Sequence, residues 1–324
     1  MSAKGRPEHE YRSAQHEGVP VGPVASHRHP LAHALPSFLV AGFALSSLDA
    51  TAKYLVQDHS LLMVVWARYA GQLVVVTPFA MHRAGGGFWR SKRIRLQLLR
   101  SAFLFGATAC FFAGLRYLPL AEGSAITFLA PVFIVMLSAP MLRERPTRMR
   151  WIAVCAGFAG VLILALPGSA VFSAAALLRI GAAMCNAFYQ IYTRLLQEDS
   201  AYTTLFYSAV VGTVASTLAL PWIDAGVLDL HTLLLFGVAG LAAGVGHHFL
   251  LTAYSREPAS MLTPFTYLQL VWATAYGYLI FRQLPDRWSF AGMAVVVAGG
   301  VLLAHAERRN VTMPKQPLPA TEPL

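Results

Sequence analysis

The stretch LSSLDATAKYLV, residues 45–56, places Asp49 and Lys53 in otherwise apolar surroundings. At i, i+4 spacing they share one face of a helix and can pair along it. Arg68 follows, eight residues into the next apolar stretch. In water such charges would be an ordinary solvated face. In lipid each costs about 3 kcal/mol or more unless it faces the inside of a helix bundle or a wet cavity. The chemistry open to Asp49, Lys53 and Arg68 there is ion pairing, either with a charged solute or with one another as a clasp between neighbouring helices. Lys53 alone has a third option, reaching its ammonium out to the headgroups.

The second half carries a richer set of neutral polar and aromatic groups. Asn186, Tyr189, Gln190 and Tyr192 share one apolar stretch, His247 and His248 another, and Tyr267, Gln269 and Trp272 a third. Amide donors and aromatic faces of this kind suit a flat or zwitterionic organic solute better than a bare ion. His247 is of a type that titrates near neutral pH and so could couple movement of a solute to protons; the other reading is a buried histidine satisfied by a neighbour. The tyrosines also fit an interfacial aromatic belt. Glu122 opens an apolar stretch, where a carboxylate suits the positive end of a helix, a proton relay being the alternative. Thr127 and Pro131 lie a turn apart in ITFLAPVF, and Pro264 sits in LTPFTYLQ. A proline inside a helix removes a backbone hydrogen bond, so Pro131 and Pro264 are candidate hinges, cavity walls or plain structural kinks, with Thr127 beside the first.

These groups need elements to hold them in lipid. Of the 324 residues, 56% are hydrophobic and 12% charged, with a mean hydropathy of +0.54. A soluble domain carries roughly 25% charge. The formal net charge of +10 sits in short clusters between apolar stretches, without an aromatic-interleaved basic face, which argues against nucleic acid. Cys110, Cys155 and Cys185 lie inside apolar stretches with no paired spacing, so neither a disulfide nor a metal framework is expected. Residues 1–35, rich in Pro, Gly and His, read as a solvated tail rather than a metal site, and no signal peptide precedes the first long apolar stretch.

With about 20 apolar residues per crossing, hydropathy divides the chain into spans at 36–55, 60–81, 96–115, 121–142, 150–167, 174–195, 202–222, 232–254, 259–281 and 287–305. If the N-terminus is cytoplasmic, nearly every loop lysine and arginine falls on that side, the opposite side receiving only Arg116, Arg282 and Arg287. That asymmetry is the positive-inside pattern for ten helices with both termini cytoplasmic. Lys53, Arg68 and Arg179 remain inside spans. A rise of 1.5 Å per residue puts Asp49 about 10 Å and Arg68 about 12 Å below the outer surface, so Asp49, Lys53 and Arg68 form one expected cluster in the outer half.

Sliding the chain by 139 residues lays Pro119 on Pro258, Thr127 on Thr266, Arg143 on Arg282, Pro146 on Pro285 and Gly160 on Gly299. Five spans per half is an odd number, so the second copy enters the membrane upside down, the plan of secondary transporters with a solute site near mid-membrane. The small residues of GLAAG (Gly240, Gly244), GFAG (Gly157 to Gly160) and AGG (Ala298 to Gly300) allow close helix packing.

LDATAKYL, VVWARY, LPLAEGSAITFLAPVF, RERPTRMRWIAVCAGFAGVLI and GHHFLLTAYSREPASMLTPFTYLQLVWA resemble the EamA family of the drug/metabolite transporter superfamily, over residues 36–305. The resemblance implies an all-α integral membrane protein of ten transmembrane helices in two inverted five-helix repeats, 36–167 and 174–306, followed by a cytoplasmic tail, 307–324. It implies movement of a small metabolite, of the amino acid, cofactor or vitamin class, across a bacterial inner membrane without ATP. It also puts the central cavity among the sixth, eighth and ninth spans and makes the fifth and tenth peripheral, where their small residues would serve either a homodimer or packing within one chain. The glutamate usual after the fourth span is present as Glu144, whereas its counterpart after the ninth is Gln283. The alternatives are an intramembrane enzyme and a non-transporting structural membrane protein. The chain contains no HExxH, GxSxG or Walker A motif, so no catalytic set and no cofactor are expected. The expected partners are membrane lipids and a small-molecule solute.

Overall fold

The computed structural model describes residues 31–142, 148–164, 173–196, 198–223, 228–256, 262 and 265–312. The candidate hinge Pro264, Glu144, Pro146, Pro258 and residues 1–30 of the histidine-bearing tail lie outside these residues. Among the described residues every regular element is helical. The longer ones are α1 (Leu31–Asp58), α2 (Leu61–Ala84), α3 (Ile94–Leu115), α4 (Leu120–Thr127), α5 (Ala130–Leu142) and α6 (Arg148–Leu164). They continue as α7 (Ala175–Leu195), α8 (Ala201–Ala219), α9 (Leu230–Arg256), α10 (Leu268–Phe281) and α11 (Arg287–Thr312).

Among the described residues six stretches are long and apolar enough to cross a bilayer: Ala34–Asp58, Leu61–Arg83, Ile94–Leu115, Leu120–Ser138, Ala201–Trp222 and Leu230–Arg256. Leu268–Phe281 and Arg287–Leu302 are shorter apolar helices. The helix α7 matches the predicted sixth span in length but misses the hydropathy of the others, because it carries Arg179, Asn186, Gln190 and Arg194.

Three departures from the predicted spans bear on the fold. The first helix begins at Leu31 and takes Pro36 into its early turns, so the tail boundary at 35 falls inside α1. The last continues past 306 to Thr312, beyond the apolar part that ends at Leu302. The fourth predicted span, drawn as one helix over 121–142, is two. Pro131 has no N–H to return to the Thr127 carbonyl. The chain tightens instead into i→i+3 bonds, Phe128 N–H to Ala125 O at 3.1 Å and Leu129 N–H to Ile126 O at 3.0 Å, and α5 starts afresh at Ala130.

The shift of 139 residues carries α1 onto α7, α2 onto α8, α3 onto α9, α4 with α5 onto α10, and α6 onto α11. Packing follows the same exchange. The broad seam of α1 on α9 has its mate in α3 on α7, the seam of α1 on α10 has its mate in α7 on α4 and α5, and α2 packs on α8 as α6 packs on α11. The main seams therefore join one half of the chain to the other. Phe128 and Tyr267, which the shift superposes, touch each other with ring centroids 5.0 Å apart.

In lipid, apolar surface gains nothing by burial, and close van der Waals approach between small residues supplies the cohesion. Gly240 lies against Gly71 and the Ala67 carbonyl, and Gly244 against Val75, so the GLAAG spacing serves the α2–α9 seam within one chain. Gly160 faces Gly292 and Val296, and Gly299 faces Gly157, so the small residues expected on the fifth and tenth spans also meet inside the chain. Large apolar side chains such as Val74, Leu177, Leu218 and Leu234 point outward.

The turns sort into two ends. At one, the α2–α3 connection meets the α7–α8 connection through Ser91 and Asp199, and Arg256 donates to Ser37 Oγ at 3.3 Å. This basic end holds Arg83, Arg90, Lys92, Arg93, Arg95 and Arg194. At the other, His59 lies 3.3 Å from Thr232 Oγ1, and a cavity of about 240 Å³ opens among Lys53, Gln57, Arg116, Tyr117, Phe281 and Gln283. This second end, with its open cavity, is the vestibule end.

Candidate solute-binding site

Asp49 lies in the middle of α1, deep in the bundle, and is half-buried. Gln269, in the first turn of α10, donates to its Oδ2 over a long 3.5 Å. The same two helices pair Ser47 with Tyr276, 2.6 Å between hydroxyls, and Phe43 with Trp272, ring centroids 5.3 Å apart and edge to face. Gln269 and Trp272 therefore do stand together against α1, on a wall that also contains Asp49.

The expected triad of Asp49, Lys53 and Arg68 is rearranged. The cations that act on Asp49 are Arg179 and then Arg68. Lys53 turns toward α3 instead. Its ammonium donates to the Leu118 carbonyl at 2.6 Å and the Leu115 carbonyl at 3.4 Å, and sits 5.2 Å from the Phe281 ring centroid. The end of α3 supplies free carbonyls and the negative pole of a helix, which outcompete a carboxylate one turn away. Arg68 lies over the Tyr69 ring at 4.2 Å, and its charge reaches His247 on α9. The His247 imidazole is held by its own helix, with Nδ1 2.8 Å from the Ala243 carbonyl. His248 stacks on Phe79 at 4.1 Å, in the α2–α9 seam.

Other candidates serve the helix seams. Tyr189 accepts from Arg100 Nη2 at 2.9 Å and lies under its guanidinium. Tyr192 stacks on Phe103 at 5.6 Å, and Asn186 accepts from Gln190 on its own helix at 3.4 Å. Tyr267 is buried, its hydroxyl pressed into the notch left by Gly300 on α11. Thr127 donates back to the Gly123 carbonyl at 3.2 Å, and Pro131 marks the break between α4 and α5. Glu122 is buried in the first turn of α4, where the helix pole favours a carboxylate.

Two buried arginines carry more of the site than their sequence positions advertise. Arg100 on α3 is 2% exposed and fully engaged: Nε donates to Thr193 Oγ1 at 2.7 Å, Nη1 to the Thr204 carbonyl at 3.1 Å and Ser208 Oγ at 2.6 Å, and Nη2 to Tyr189. Gln97, one turn earlier, donates to Asp199 at 2.9 Å and Thr204 at 3.3 Å. Ser91 and the Lys92 N–H also donate to Asp199. Partial burial alone would raise the Asp199 carboxyl; the combined donors and the Lys92 charge outweigh it and hold the group below the usual carboxylate range. This network ties the α2–α3 and α7–α8 connections and the helices beside them together at the basic end.

Arg179 on α7 is the opposite case. It is 0% exposed, and Nε, Nη1 and Nη2 have no hydrogen-bond partner among the described residues. Its guanidinium lies 3.9 Å from the Phe111 ring centroid, against Gly114 of α3 and Gly123 of α4. Its charge acts on Asp49 and on Lys53 without direct ion pairing. Groups from α1, α7 and α10, hence from both halves, thus converge on one charged and amide-lined region below the vestibule. Among the described residues no group of three or more His, Cys, Asp or Glu side chains is placed to hold a metal.

The chain matches the EamA-like transporter family over residues 34–166 and again over 173–304. It is 26% identical to an S-adenosylmethionine uptake transporter of Rickettsia bellii, over 85% of this chain and 94% of that protein. It is 28% identical to a riboflavin transporter of Vibrio cholerae, over 87% and 96%. It is 24% identical to a pseudopaline exporter of Pseudomonas aeruginosa, over 83% and 95%. A solved crystal structure superposes with a TM-score of 0.61 at 17% identity, covering 85% of this chain and 99% of the other, which establishes the shared fold.

Proposed function

We infer the function from one premise: the chain belongs to the EamA-like transporter family. It is a membrane transporter for small metabolites and not an enzyme. Beyond that, the reading proposed here is a secondary transporter working by alternating access, with ten spans in two inverted five-helix halves. It sits in a bacterial inner membrane with both termini in the cytoplasm. The exchange of seams between α1–α9 and α3–α7 supports the inverted halves, and the crowding of arginine and lysine at one end supports the orientation. The vestibule then faces outward, while the Asp199–Gln97–Arg100 network closes the inner end.

The observation that carries the solute reading is Asp49 with Gln269 and Arg179, ionic and amide groups brought from both halves into the interior of a bundle whose outside is apolar. Together with the Trp272 and Phe43 rings they suit an amphipathic or zwitterionic organic metabolite of the amino acid, cofactor or vitamin class. S-adenosylmethionine and riboflavin, the cargoes in the names of two relatives, are both of that kind.

The test is counterflow in proteoliposomes with a panel of amino acids, S-adenosylmethionine and riboflavin, without ATP. Saturable exchange of at least one solute, weakened by Gln269→Ala and by Asp49→Asn, is the expected result. Failure of the whole panel to exchange, or exchange indifferent to both substitutions, sinks this site. Labelling of single cysteines at positions 93 and 116 from one and the same side of the bilayer would sink the orientation and the inverted halves together.

A further inference from the structure

We propose that Arg179 is the receptor for a carboxylate on the carried solute, an assignment that rests on the transport reading above. The first support is the side chain's isolation. A guanidinium offers five N–H donors and stays charged. Leaving such donors unmet in a dry interior costs about 1–3 kcal/mol for an ordinary group and more for a charged one. Among the described residues the fully buried Arg179 has no hydrogen-bond partner at any nitrogen, while Arg100 in the same bundle is bonded at all three of its nitrogens. A side chain kept only for packing would be bonded as Arg100 is.

The second support is a built slot. Phe111 covers one face of the guanidinium at 3.9 Å. A Cβ at Gly114 would stand 2.7 Å from Nε, and one at Gly123 would stand 2.8 Å from Nη2. Glycines from two helices thus leave room for the group to lie flat against the ring. A flat, fixed fork of donors matches a planar two-oxygen acceptor, the carboxylate, which takes two parallel hydrogen bonds from it.

The third support is charge. Asp49 is the carboxylate that acts on Arg179, Arg68 draws on the same carboxylate, and the Lys53 ammonium acts on Arg179 from another side. A carboxylate on the solute supplies the guanidinium with the directly bonded acceptor that Asp49 does not provide. Lys53 and Arg116 at the vestibule draw an anion toward the same place.

The experiment uses the full-length protein purified in detergent and follows its thermal unfolding midpoint. The probes are matched pairs, L-phenylalanine with L-phenylalaninamide, L-methionine with L-methioninamide and 3-phenylpropionate with 3-phenylpropionamide, together with inorganic phosphate. At least one carboxylate should raise the midpoint, and its amide should not. Arg179→Lys should weaken the response at least tenfold in concentration and Arg179→Gln should abolish it. The unliganded midpoint of Arg179→Gln should equal or exceed that of the wild type, because the substitution removes buried donors that no described residue meets; a purely structural arginine would lower it. No response to any carboxylate, an equal response to the amides or to phosphate, or an unchanged response in Arg179→Gln overturns the assignment. If an amino acid or S-adenosylmethionine is carried equally by the wild type and Arg179→Gln, or riboflavin alone is carried, transport stands and the carboxylate receptor falls; if nothing is carried, the transport reading itself has failed.

Discussion

Arg100 and Arg179 are both buried arginines on helices that pack against each other, and they live in opposite circumstances. At the basic end, Arg100 draws α3, α7 and α8 together through hydroxyls that already donate to their own helices, Thr193 to the Tyr189 carbonyl and Ser208 to the Thr204 carbonyl, and so have lone pairs to spare. Below the vestibule, Arg179 has a ring, two glycines and, among the described residues, no acceptor. The same residue type is a fastener in one region and an unfilled receptor in the other. The difference lies in what the neighbouring helices present, hydroxyls in one place and bare backbone in the other.

The contrast is most exposed to attack at Arg100. Arg100→Leu removes four donor contacts and should cost about 3 kcal/mol or more of stability, read as a large fall in the thermal midpoint. If Arg100→Leu and Arg179→Gln melt alike, the contrast is broken. Lys53→Met comes next. It deletes a charge-assisted bond to a carbonyl at 2.6 Å and should cost about 2 kcal/mol, which would group Lys53 with the fasteners. A Lys53→Met protein of wild-type stability would move this residue to the solute side.

Gly123→Ala should have a smaller effect on stability, about 1 kcal/mol, because the atom it meets is the far end of a long side chain. The displaced guanidinium should nevertheless lose its carboxylate response; retention of the full response would show that the slot is not the receptor. Asp199→Asn should have the smallest effect. The Asp199 carboxyl is held below the usual carboxylate range, so its contribution is present at neutral pH and is lost as the pH falls through that lowered value. The stability gap between wild type and Asp199→Asn should therefore close only in strong acid, below about pH 4. A gap that closes near neutrality would show that another group holds the latch.

The spans were readable because a bilayer demands length and apolarity, and both are written locally. The α3 boundaries, Ile94–Leu115 against an expected 96–115, follow from that demand. The break at Phe128 was half readable: Pro131 announces a missing hydrogen bond, but whether the helix bends or restarts depends on what packs beside it. Asp49 stood out at once as a charge in an apolar window, and Gln269 and Trp272 as polar and aromatic groups in another.

The partners were the hidden part. The spacing of Asp49 and Lys53 suggested a pair, and nothing local shows that the end of α3 lies opposite Lys53 with its carbonyls free. Arg179 carried the same signal as Arg68, a lone charge inside an apolar span, but its meaning comes from Phe111, Gly114 and Gly123, far away along the chain. A glycine cradle is invisible until the helices are assembled.

The close approach of Gly71 and Gly240 has a mechanical consequence. Where two backbones touch with no side chain wedged between them, a single added methyl must push the helices apart, so this point fixes the spacing of α2 and α9 for everything packed along them. Val75 against Gly244 and Phe79 stacked on His248 are held in register by it.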